Sequence, residues 1–146
     1  MFDSTDNGLA HRDAVGVRAL MDRARTSLHD APADAVLAGF SLGAFFAQAF
    51  AAKRPDARAA VLLHNVEAPR DGTWNGVPVQ VHRHAVDPFI SEPDVTALRD
   101  AVTTSGAPFD DVVVPGEGHL FTDLATPDGD AAACDAGIAA FDAFIR

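Results

Sequence analysis

Cysteine is almost absent from this sequence, and the single one, Cys134, cannot form an internal disulfide. Basic residues are scarce too: 11 Lys and Arg stand against 21 Asp and Glu, a formal net charge of −10. Phosphate recognition needs clustered cations, so this balance argues against nucleic acid as a partner. No apolar run approaches the length of a bilayer crossing, which argues against a membrane partner. No charged-then-apolar leader opens the chain, and with one cysteine a reducing, cytoplasmic location is the expectation. Internal repeats, linkers and low-complexity tracts are also missing, although alanine is abundant.

What is present describes one globular domain over residues 1–146, 48% apolar and 22% charged. A chain of this length buries about two thirds of the surface that it exposes when unfolded. Cys134 follows Ala131-Ala132-Ala133 inside the last expected helix and reads as a small buried filler rather than a nucleophile.

The most informative stretch is Val36 to Ala47. A short apolar run ends at Gly39 and a helical pattern begins directly after Ser41, so the local structure is strand, tight turn, helix. Gly39-Phe40-Ser41-Leu42-Gly43 matches G-x-S-x-G, in which the glycines let strand and helix approach while the serine hydroxyl projects at the apex. Five residues match this pattern by chance in many proteins. A match at a strand end and a helix start is far more specific, because the helix N-terminus there favours developing negative charge.

Read in order, residues 1–8 are polar and turn-forming. From Val17, the positions Leu20, Met21, Ala24 and Leu28 recur at helical spacing, and Asp30-Ala31-Pro32 ends that helix. Asp34–Phe40 is the first strand. The helix after Ser41 is apolar nearly all round, with Phe45, Phe46 and Phe50, which places it in the middle of the domain; it stops at Lys53-Arg54-Pro55. Strands follow at Ala59–His64 and Val77–His84, separated by a loop over Glu67–Gly76. Ser91-Glu92-Pro93 starts a helix with Val95, Leu98 and Val102 on one face and Gly106 after its end. Asp111–Val114 is the fourth strand, ended by Pro115-Gly116. A last helix begins near Asp130 with Ile138, Phe141 and Ile145 inward. Strands alternating with helices imply a parallel sheet covered on both faces.

In such a sheet, reactive groups collect beyond the carboxyl ends of the strands. Ser41 follows the first strand, Asp87 the third and His119 the fourth. A serine hydroxyl is a poor nucleophile until a base takes its proton, and an imidazole does so well when a carboxylate fixes its tautomer. Serine, acid, histidine is the chain order of the α/β-hydrolase triad. Asp87 also precedes Pro88, where an aspartate often serves only as a turn former, and Asp94 is the next acid in line. His119 sits in a loop lightened by Gly116 and Gly118, where a solvated histidine is the plain alternative. His82 and His84 share one face of a strand and form a pair able to hold a metal with Asp87, but no third ligand of matching spacing is evident and strand packing is the simpler reading. His11 and His29 read as helix-surface residues. His64 ends a strand beside the turn at Ser41 and is a candidate for lining the cleft with Phe40. Trp74, Phe89 and Phe121 are candidate apolar walls for a substrate, or else core or lid residues.

Together, Ala38 to Ala44, Val77 to His82, Asp87-Pro88 and Pro115-Gly116-Glu117-Gly118-His119-Leu120-Phe121-Thr122-Asp123 resemble small bacterial dienelactone hydrolase family proteins over essentially the whole chain. The resemblance implies an α/β-hydrolase-like three-layer sandwich with a mostly parallel sheet. By the same likeness Ser41 is the nucleophile, Asp87 the orienting acid and His119 the base, with the N–H of Leu42 in the oxyanion hole. The implied activity is hydrolysis of a small-molecule ester or lactone through an acyl-enzyme, with no metal or cofactor. Dienelactone hydrolases proper carry cysteine at the elbow, so Ser41 points to an ordinary esterase-like nucleophile. Family members have further strands before the region matching Phe2-Asp3-Ser4. The expectation is therefore an N-terminally truncated sheet of about four strands, with the Asp34–Phe40 strand at an open edge and one oxyanion donor missing. The alternative to an efficient enzyme is then a catalytically weak member that pairs through that edge as a homodimer or acts as a binding module.

Overall fold

Each apolar run of the sequence becomes a strand of one sheet, and each is followed by a segment that returns across a face of that sheet. The computed structural model describes residues 5–146, which group into one unit ending at Pro32 and another spanning Ala33–Arg146.

The first unit contains α1 (Thr5–Val15) and α2 (Val17–Ser27). Residues 5–8 therefore belong to a helix and not to a turn, which corrects the sequence reading; residues 1–4 of that stretch lie outside the described residues. The reason is local: the Ser, Thr, Asp and Asn types that favour turns are also those favoured where helices start. In α2 and just beyond it, Leu20, Met21, Ala24 and Leu28 are half-buried, the face that their spacing anticipates.

The second unit holds β1 (Val36–Phe40), α3 (Leu42–Ala51), β2 (Ala59–Leu63), β3 (Val79–Val86), α4 (Glu92–Thr104), β4 (Phe109–Glu117) and α5 (Ala131–Ile145). The strands are parallel in the order β1-β2-β3-β4, the expected α/β arrangement. Register fixes which helix covers which face. Gly39 pairs with Leu62, Leu62 with Val81 and Val81 with Asp111, so these four point to one side. Gly39 abuts Gly43 of α3 there. Buried Arg83, on the same side, forks onto Asp111 at 3.0 Å through Nε and Nη2 and also reaches Glu92 of α4. Alternate residues face the other way, where His82 lies against Gly137 of α5. Helices α3 and α4 thus lie on one face and α5 on the other, around a core that includes Leu62, Val79, Val81, Val95, Leu98 and Phe121.

Several sequence expectations need correcting. The face that α3 buries consists of Ala44, Ala47, Gln48 and Ala51, while Phe45, Phe46 and Phe50 are only half-buried. Small side chains are what allow the helix so near the sheet, and Gln48 is satisfied by exchanging hydrogen bonds with the backbone of Glu67. In α5 the buried residue is Gly137, and Phe141 and Ile145 are half-buried as expected, but Ile138, one step round the helix from Gly137, is 61% exposed. Cys134 is half-buried. Finally, β4 runs through Pro115-Gly116 instead of ending there. His84 pairs with Val114 and Val86 with Glu117, so two steps on β3 oppose three on β4, a bulge. Proline is tolerated because β4 is an edge strand, and Gly116 takes the left-handed φ of 102° that the bulge needs. The boundaries of β3 also lie two residues later than expected. The α4 cap is as read: Ser91 Oγ accepts from the N–H of Asp94, and Val95, Leu98 and Val102 are buried. Among the described residues no helix is long and apolar enough to cross a membrane.

A Cβ added at Gly39 would lie 2.0 Å from the carbonyl oxygen of Gly43, whereas one at Gly43 meets nothing within 4 Å. We expect Gly39→Ala to lower stability by about 3 kcal/mol or more and Gly43→Ala to change it by no more than about 1 kcal/mol. Urea unfolding of both variants checks this, and equal effects would contradict the close approach.

Candidate active site

The turn between β1 and α3 holds Ser41 at φ 50°, ψ −116°, a conformation that a side-chain-bearing residue adopts only when its surroundings impose it. Here they do so from both sides. The N–H of Ser41 donates to Leu63 O at 2.8 Å, and Ser41 O accepts from Ala44 N at 2.9 Å. Its side chain makes no capping bond to the helix and instead meets His119, with Oγ 3.0 Å from Nε2. The N–H of Leu42, first residue of α3, is one of the first-turn amides that no intrahelical carbonyl takes.

His119 follows the bulged end of β4. Its Nδ1 lies 3.0 and 2.9 Å from the two carboxylate oxygens of Asp87, just beyond β3. Asp87 is oriented by the N–H of Phe89, which donates to Oδ1 at 2.8 Å. The loop is joined to β3 by Gly118 N donating to Val86 O at 3.0 Å. Ser41, His119 and Asp87 thus form one hydrogen-bonded chain, and the last two are each only 8% exposed. Asp94 is elsewhere, accepting from Ser91 Oγ at the start of α4.

The candidate walls divide. Phe89 is 53% exposed with its ring centroid 4.5 Å from that of His119, and Phe40 is 40% exposed, so both border the serine and histidine. His64 and Phe121 are 0% exposed, which corrects their placement as cleft-lining residues. They pack edge-to-face at 4.7 Å beneath His119, because side chains beyond the strand ends on the α5 face are directed into the core. Trp74 is also corrected: its indole N–H donates to Val77 O at 2.7 Å, beside Asn75, which donates to Ala51 O. Val77 precedes β3 and Ala51 ends α3, so Trp74 stands at the amino ends of the strands, the opposite edge of the sheet from Ser41. His82 bonds Gln80 Oε1 at 2.8 Å and Gln80 bonds Asp110, which is strand packing; among the described residues no group of three or more metal-ligating side chains occurs. His11 and His29 are exposed.

Two contributors escaped the sequence reading. Asp128 Oδ2 accepts the backbone N–H of His119 at 2.8 Å and that of Leu120 at 3.5 Å. The His119 amide in particular holds the Asp128 carboxyl below the usual carboxylate range. Thr122 Oγ1 lies 2.7 Å from Nε2 of His64. Pro127-Asp128-Gly129 is legible as a turn, but nothing in it indicates which amides the aspartate will meet.

Burial, more than the neighbouring His119, pushes the His64 imidazole down to about 4, and burial lowers His82 as well.

A parallel α/β sheet that presents a serine on a strained strand-to-helix turn, with a histidine and an aspartate on later strand ends, defines the α/β-hydrolase class. The model of the dienelactone hydrolase family matches residues 6–146, and the chain belongs to that family. Solved structures similar to it include a dienelactone hydrolase-like promiscuous phosphotriesterase from metagenomic libraries, 20% identical with a TM-score of 0.72, covering 99% of this chain and 68% of that one. A putative dienelactone hydrolase from Klebsiella pneumoniae is 20% identical with a TM-score of 0.66, over 88% of this chain and 58% of that one. An esterase from Thermogutta terrifontis is 18% identical with a TM-score of 0.61, over 88% and 60%. The chain thus spans about three fifths to two thirds of their lengths, and at these identities the likeness carries the fold alone. No curated protein matches the sequence.

Because His64 binds a proton less readily when folded than when unfolded, the unfolded chain holds more protons between about pH 4 and 6.5, and stability falls as pH drops through that window. We expect the urea midpoint to decline from pH 7 to pH 4.5 and the decline to be shallower in His64→Asn, which tolerates the same backbone conformation. Equal slopes would contradict a buried neutral imidazole.

Proposed function

We propose that this chain hydrolyses small carboxylic esters or lactones through an acyl-enzyme on Ser41. The observation that carries the reading is the continuous hydrogen-bonded chain from Ser41 Oγ through His119 to Asp87. As Oγ attacks the acyl carbonyl, Nε2 of His119 takes its proton and Asp87 stabilises the imidazolium through Nδ1–H. The tetrahedral oxyanion accepts from the N–H of Leu42, at the positive end of α3. Collapse of that intermediate expels the alkoxide, which His119 protonates. Water then gives a proton to His119 as it attacks the acyl carbon, and Ser41 leaves with that proton restored. The exposed rings of Phe40 and Phe89 support an apolar acyl or alcohol group, and neither nucleic acid nor membrane enters the reading.

A second reading is favoured by β1, which has a paired neighbour on one side only among the described residues. An open edge accepts another strand, as in an edge-paired homodimer with weak catalysis or a binding role.

A fluorophosphonate probe separates the two. Under the first reading the wild type is labelled, Ser41→Ala abolishes labelling, and Asp87→Asn lowers kcat on p-nitrophenyl acetate about 10³- to 10⁴-fold. Folded wild-type protein that takes no label overturns the hydrolase, and a dimer by light scattering then supports the second reading.

A further inference from the structure

Ser41 and His64 are the only non-glycine residues with positive φ among the described residues, at 50° and 63°. They are neighbours: Phe40 pairs with Leu63, so the next residue on each strand is one of these two. The carbonyl of Leu63 takes the N–H of Ser41, and the N–H of His64 donates to His82 O at 2.9 Å. The backbone that fixes the elbow therefore passes directly into His64.

The His64 side chain is fully buried. Its ring stands edge-to-face to Phe40 at 5.0 Å, to His119 at 5.9 Å and to Phe121 at 4.7 Å. Its Nε2 lies 2.7 Å from Thr122 Oγ1, while Nδ1 has no hydrogen-bond partner among the described residues. An apolar ring would fill the same space without leaving a buried polar atom unpaired, and a β-branched residue would not accept the left-handed backbone. Histidine satisfies the backbone requirement and supplies a bond that phenylalanine or leucine lacks. That bond ends three residues after His119, in the loop that carries the base.

We propose that His64 is a positioning residue whose bond to Thr122 ties the His119 loop to the end of β2, where the Leu63 carbonyl holds the N–H of Ser41, and so sets the Ser41–His119 separation. The proposal rests on the hydrolase reading for its catalytic consequence and on geometry alone for the tether. Geometric tolerance at such a centre is tight: a misplacement of about 1 Å costs roughly 100-fold in rate.

The test uses Thr122→Val, which removes the hydroxyl while keeping the shape, and Thr122→Ser, which restores it. With histidine ring nitrogens labelled with ¹⁵N, the wild type is expected to show the Nε2 resonance of His119 at the position of a nitrogen hydrogen-bonded to Ser41 Oγ. Thr122→Val is expected to move that resonance toward the position of an unbonded ring nitrogen and leave the backbone amide spectrum of the sheet unchanged, and Thr122→Ser to restore it. On p-nitrophenyl acetate, kcat is expected to fall about 10- to 100-fold in Thr122→Val with KM within about twofold. His64→Asn added to Thr122→Val should cost little more than either alone, since both break one tether. An unchanged His119 Nε2 resonance in Thr122→Val overturns the tether. Wild-type protein that takes no fluorophosphonate label defeats the hydrolase reading instead, and the ring spectra still decide the tether.

Discussion

The approach of β1 to α3 at Gly39 is the constraint from which the site follows. With no side chain at Gly39, the backbone of Gly43 sits where a Cβ would be, and the chain must turn from strand to helix within a single residue. That residue is Ser41, forced to positive φ. The conformation persists because Leu63 O and the first amides of α3 secure both sides of the turn. The alanine face of α3 continues the same close contact along the helix, which is why its phenylalanines stay half-exposed.

The opposing half of the site is built by different means. A bulge at Pro115-Gly116 re-aims the end of β4, and Gly118 then bonds back to Val86, so that the loop emerges beside the end of β3 where Asp87 lies. Asp128 grips the main chain of His119 and His64 reaches Thr122. The base is thus held at its backbone, at its ring and in the loop just after it. The carboxylate partner is buried and fixed by the N–H of Phe89. Beneath this loop the His64 imidazole is pushed down to about 4, since desolvation outweighs the attraction of Asp87.

Much of this was readable in advance, for reasons that differ by residue. The β1 and α3 elements are specified by an apolar run followed by helical spacing, and the glycines around Ser41 state the sharpness of the turn. Asp87 and His119 were legible because parallel topology sends every strand's carboxyl end to one edge. Trp74 misled because a loop rich in proline and glycine looks alike at either edge of a sheet. His64 and Phe121 misled because position along the chain does not tell whether a residue past a strand end points to solvent or beneath the sheet's rim. Ile138 was placed inward by apolarity, whereas the contact with the sheet selected Gly137.

The sequence by itself determined the alternation of elements, the parallel sheet and the three residue types at its carboxyl edge, because hydrophobic period and glycine placement act locally. Only the tertiary structure decided that Ser41, His119 and Asp87 share one hydrogen-bonded chain, that Asp128 and Thr122 anchor the base's loop, and that His64 is buried. Apart from the Asp128 contact, which spans nine residues, those depend on distances between segments about 30 to 80 residues apart, and such distances are set by sheet register and by how closely each helix can pack, which no local pattern encodes.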